Sequence, residues 1–150
     1  MVKTLSITLF ALTLFRSAGC SDDARETVRT TDCGPVIQVR DPMPRLTSDA
    51  YTVVGASADG LCLSVTISAT GCSSEPWRVA LHTDGAVAES SPTQTTALLV
   101  FDDGVGENEM TCQAIIEETY QFDLGPYLAD ALPTTFSLTG TETTVEIKPE

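Results

Sequence analysis

Beginning at Leu63 the chain alternates: Leu63, Val65 and Ile67 are apolar, and Ser64, Thr66 and Ser68 between them are polar. A period of two sends successive side chains to opposite faces, so this run predicts a half-buried β-strand. Trp77, Val79 and Leu81 alternate with Arg78, Ala80 and His82 in the same way. Val36–Val39, Tyr51–Ser57, Thr96–Phe101, Cys112–Phe122, Phe136–Thr139 and Thr143–Ile147 are further short segments rich in Val, Ile, Thr and Leu. Together these give about eight candidate strands. Asp59-Gly60, Asp84-Gly85 and Thr139-Gly140 punctuate them as turns. No segment carries a helical stripe over three turns. Gly125–Leu132 predicts one short helical turn, with Pro126 suited to its start. Many short strands at this spacing predict an all-β fold, an antiparallel β-sandwich (immunoglobulin- or transthyretin-like) of about seven to eight strands. A small barrel ranks second, and no internal repeat is visible.

The first residues follow another pattern. Lys3 and the α-amino group supply positive charge, and an apolar run extends from Leu5 to Phe15. Eleven residues are too few for a helix to cross ~30 Å of hydrocarbon, which takes about 20. The run fits a cleaved export signal instead. Ser17, Ala18, Gly19 and Cys20 resemble the bacterial lipobox, with Ser17 standing where leucine is usual. That resemblance implies cleavage before Cys20, acylation of its thiol and new amino group, and residues 1–19 as the signal. Two or three acyl chains make a stable membrane anchor. Ser21 occupies the position where lipoproteins retained in the inner membrane commonly carry aspartate, so the resemblance implies the outer membrane. The competing reading is a plain secreted protein with a fortuitous cysteine.

Removing the signal sharpens the charge. Six basic residues then face 21 acidic ones, a net −15. Nucleic acid and anionic headgroups both require a basic surface, so neither is an expected partner. From Ser21 to Asp32 the chain is polar and charged, and residues 20–32 read as the lipidated cysteine and a flexible tether. Residues 33–150 are long enough for one domain with a real core.

Five cysteines are an odd number for an exported protein. Taking Cys20 as the lipidated residue leaves Cys33, Cys62, Cys72 and Cys112, which read as two disulfides in an oxidising compartment. Cys62 and Cys72 flank one predicted strand, and ten residues at ~3.3 Å each separate them too far to bond. If the strand after Cys112 runs antiparallel to the strand after Cys62, Cys112 lies near Cys72. The pairing expected is Cys72–Cys112 with Cys33–Cys62. No pair has the C-x-x-C spacing of redox motifs or zinc knuckles.

Candidate chemistry is sparse. There is no G-x-S-x-G elbow, and a histidine triad would have to use His82, the single histidine, which sits among strand positions expected to be exposed. A glycosidase-like carboxylate pair would be conceivable among so many acidic residues, but no pairing signal rises above composition. The densest acidic stretch runs from Asp102 to Glu109. Asp102, Asp103, Glu107 and Glu109 are the residues a hard cation would use, although the spacing departs from the EF-hand pattern and the default is a solvated loop. No cofactor is expected.

Gly71-Cys72 ahead of the Trp77 strand, followed by Cys112 to Leu124 with its Phe122-Asp123-Leu124 ending, resembles small β-rich bacterial lipoproteins, the NigD-like group being nearest. The resemblance covers about a third of the chain, supports the fold, and brings no catalytic residues with it. Two functions then compete. One is a membrane-anchored, non-catalytic binding or accessory module with a protein or glycan partner, for which Trp77, Tyr51, Tyr120 and Tyr127 are candidate contacts, Trp77 being better suited to the core. The other is a carboxylate-dependent hydrolase of envelope polymers, which would gather carboxylates in one concave pocket. A purely structural envelope role is a third expectation.

Overall fold

A computed structural model of the chain describes residues 29–106, 109–110 and 112–149. Cys20 and the signal lie outside the described residues, as does Glu107. The long strands overlap the two alternating runs and the Val-, Ile-, Thr- and Leu-rich segments expected from sequence, with ends shifted by a few residues. They are β4 (Thr52–Asp59), β5 (Cys62–Gly71), β6 (Arg78–Thr83), β8 (Thr93–Asp102), β9 (Ala114–Asp123), β10 (Thr134–Leu138) and β11 (Thr144–Ile147). Short strands β1 (Thr30–Thr31), β2 (Gly34–Pro35), β3 (Gln38–Val39) and β7 (Val87–Ala88) complete the set. The helical turn α1 spans Gly125–Leu128 with Pro126 in its first turn, as expected. Strand β1 lies within the stretch read from sequence as tether, and the Arg29 carbonyl just before it accepts the Val36 N–H.

A smaller sheet has the order β4-β5-β9, and a larger one the order β11-β10-β8-β6-β3, with β7 also on β8. Strand β5 shows the predicted alternation in full: Leu63, Val65 and Ile67 are buried, and Ser64, Thr66 and Ser68 are not. Its inner face meets Leu81, Leu99, Phe101, Phe136 and Leu138 of the larger sheet in one apolar core. Burying each of these side chains contributes roughly 1.5–3 kcal/mol. The arrangement is all-β and compatible with a sandwich. Among the described residues no helix is long and apolar enough to cross a membrane.

Among the described residues two pairs of strands run parallel, a feature not expected from the sequence. Strand β10 returns beside β8 after the chain has passed through β9 and α1, and β6 joins β3 after passing through β4 and β5. Each crossover uses the opposite sheet, which is how a chain brings like-directed strands side by side. The β8–β10 seam buries Thr95 and Thr134, whose hydroxyls bond each other at 3.0 Å. Buried hydroxyls satisfied in this way carry little penalty.

The disulfides pair as the spacing argument expects: Cys33–Cys62, with 5.3 Å between Cα atoms, and Cys72–Cys112, with 4.8 Å. They sit at opposite ends of β5. At the Cys62 end, Gly34 (φ 102) approaches β9 so closely that a Cβ there would lie 2.5 Å from the Gln121 carbonyl oxygen. Only glycine fits both that backbone angle and that contact.

Candidate functional site

The end of the sandwich at Gly71, Cys72 and Trp77 gathers most of the chemistry foreseen from sequence. Trp77 is 4% exposed and stacks edge-on against Phe101 with centroids 5.1 Å apart, so it belongs to the core. Strand β8 ends beside it at Asp102, and the acidic loop begins there. Asp102 Oδ1 accepts the Gly104 N–H at 2.8 Å, and Asp103 Oδ1 accepts the Val105 N–H at 2.8 Å. Both are local turns of the kind aspartate side chains make with backbone two residues on. Gly104 (φ 70) then passes so near Pro76 that a Cβ would meet its carbonyl oxygen at 2.7 Å.

A third carboxylate arrives from far away in sequence. Ser48 and Asp49 are pinned to the end of β8: the Asp49 N–H donates to the Phe101 carbonyl at 2.9 Å, and the Phe101 N–H donates to Ser48 Oγ at 3.0 Å. Asp49 Oδ2 accepts the Asp103 N–H at 3.0 Å. One oxygen each from Asp49, Asp102 and Asp103 therefore fall within 4.8 Å of one another. Oxygens at that spacing are ones a single hard cation could bridge. Of the four residues singled out from sequence, Asp102 and Asp103 join this group. Glu109 does not: its carboxylate accepts the Gly106 N–H at 3.2 Å and closes its own turn. Asp49 was missed, and no local signal marks it, because its partners lie more than 50 residues on.

Two open pockets flank Val105. One, of about 210 Å³, lies against Cys72, Trp77 and Asp103. The other, of about 390 Å³, lies against Ser48, Asp49 and Asp102. Carboxylates thus do converge on a concavity, the feature a hydrolase would show. Their setting differs from an acid–base pair, however. A carboxyl that acts as a general acid near neutral pH is kept protonated by burial, whereas Asp49 and Asp102 are exposed and Asp103 is half-exposed. One oxygen of each also accepts a backbone N–H, so the group braces the loop.

The remaining foreseen residues fall elsewhere. His82 is 7% exposed rather than surface-lying, because β3 pairs alongside β6 at that position. Tyr51 is half-buried and donates its hydroxyl to the Leu99 carbonyl at 2.9 Å. Tyr127 is buried, with its hydroxyl donated to the Ala86 carbonyl. Both tyrosines hold the fold together, so their hydroxyls are not offered to a partner. Tyr120 lies at the margin of the sandwich on β9. Partial burial pushes its phenol above the ordinary value of 10.0, Glu118 adds to the rise, and Arg78 opposes it.

Comparison with protein-family models, curated proteins and solved structures finds no match, so the functional reading rests on the residues and their geometry.

Proposed function

We propose that the chain is an envelope lipoprotein, anchored to the outer membrane through acylated Cys20, whose domain is a non-catalytic binding module. The observation that carries this reading is the polarity of the fold. The described chain begins at Arg29, and its first strands are stapled by Cys33–Cys62 to the Cys62 end of β5. The acidic loop, both pockets and Cys72–Cys112 lie at the Gly71 end. Strand β5 has ten residues, so the two ends are about 30 Å apart. A tether at one end leaves the other facing away from the membrane. The two disulfides support export to an oxidising compartment. Exposure of Asp49 and Asp102 supports binding over hydrolysis.

Fractionation of cells expressing Cys20→Ser tests the anchor. The variant is expected in the soluble fraction, with the unaltered protein in the outer membrane. Identical fractionation of the two would overturn the reading.

A further inference from the structure

The outer edge of β9 is covered over only part of its length. The Ile37 N–H donates to the Asp123 carbonyl at 2.9 Å, which shows that odd-numbered residues of β9 turn their backbone groups away from β5. Val36 bridges Asp123 in parallel, and Gly34 lies against Gln121. The chain's own N-terminal arm therefore already extends this edge at its lower end. Further up, at Ile115, Glu117 and Thr119, no backbone hydrogen bond arrives from that side among the described residues. Open strand edges template the addition of another strand.

We propose that the β9 edge from Ile115 to Thr119 is a docking site for an extended basic segment of a partner protein, added as a further strand. This rests on the binding-module reading and names the surface that module uses. The segment starts beside Gly71, at the end of the sandwich remote from the tether. Ile115, 76% exposed, shares the outer face with Glu117 and Thr119. Glu118 projects to the other face, where Ser74 Oγ donates to its carboxylate at 2.9 Å. Arg78, the cation acting on Tyr120 beside this edge, gives its Nη1 to the carbonyls of Glu75, Pro76 and Trp77. The edge thus presents backbone groups, one apolar side chain and net negative charge. The complementary strand places an apolar residue opposite Ile115 and a basic residue opposite Glu117.

A second copy of the chain fits less well. Two β9 edges paired antiparallel about Glu117 set that glutamate against its own copy, and like charges directly opposite destabilise a sheet. A net −15 on each copy after the signal adds to the repulsion.

The test is a titration of the mature lipidated protein in detergent micelles with the capped peptide Thr-Ser-Lys-Thr-Val-Thr, followed by amide NMR and hydrogen exchange. Saturable binding is expected, with slowed exchange at the amides of Ile115, Glu117 and Thr119. Glu117→Lys should weaken binding about fivefold. Thr119→Pro should abolish it, since proline removes one outward N–H and leaves the β5 ladder in place. Should Thr119→Pro lose its near-UV circular dichroism, Glu117→Lys carries the test. No binding, equal binding by the variants, or equal binding of a peptide with glutamate in place of lysine would each overturn the proposal. Self-association that Thr119→Pro abolishes would overturn it too, in favour of a second copy. Membrane retention is read separately with Cys20→Ser, so a failed titration with normal retention removes the docking edge and leaves the anchor.

Discussion

Tyr51 links the two sheets. It stands just before β4 of the smaller sheet, donates its hydroxyl to Leu99 of the larger one, and meets Phe101 edge-on with centroids 5.9 Å apart. Burial pushes its phenol above the ordinary value of 10.0, because ionisation would leave a charge poorly solvated. The unfolded chain therefore loses this proton at lower pH than the folded one. Its contribution to stability is whole below pH 10 and is lost as pH rises through the folded value. Urea midpoints should fall as pH is raised above 10, and Tyr51→Phe should make that fall shallower. An identical pH profile in the variant would show that Tyr51 does not titrate as described. At this scale the sequence was informative about Trp77, whose place in an alternating run marks it for the core. It was silent about Asp49, which takes its role from hydrogen bonds to Phe101 and Asp103. His82 misled for a related reason: its burial depends on β3 pairing alongside, and nothing near residue 82 announces that partner.

Strands with a clear period of two were legible, and β5 is the best example. Alternation records which face a strand buries, and that is a local property. The parallel seam of β8 and β10 was not legible, because it depends on the chain crossing to the other sheet between them. Two-residue strands such as β1 and β7 carry too little pattern to be read at all. The disulfides fall between these cases. Their pairing followed from strand length and an assumed antiparallel neighbour, and β9 does run antiparallel to β5. Cys72–Cys112 closes a separation of 40 residues and joins the two strands where the acidic loop returns. The chain-entropy account gives such a bond about 4 kcal/mol. Cys72→Ala combined with Cys112→Ala should lower the unfolding free energy by that order in denaturant titrations. An unchanged midpoint would mean that packing alone holds this end together.

Across the whole molecule, the two ends of β5 have different work. One end receives the N-terminal arm, fixed by Cys33–Cys62 and by Ile37, which is 2% exposed in the core. The other carries the acidic loop, the pockets and the uncovered part of the β9 edge. This polarity suits the binding module proposed above, with the first end tethered and the second presented. The role proposed for Cys20 organises this picture: lipidation there would account for the odd cysteine and supply the anchor, and the other four cysteines pair as two bridges. The measurement closest to that claim is mass spectrometry of the N-terminal peptide from membrane-purified protein. The account predicts a peptide that begins at Cys20, lacks residues 1–19, and carries the mass of its acyl chains. An unmodified Cys20, or a mature N-terminus at any other residue, would contradict it.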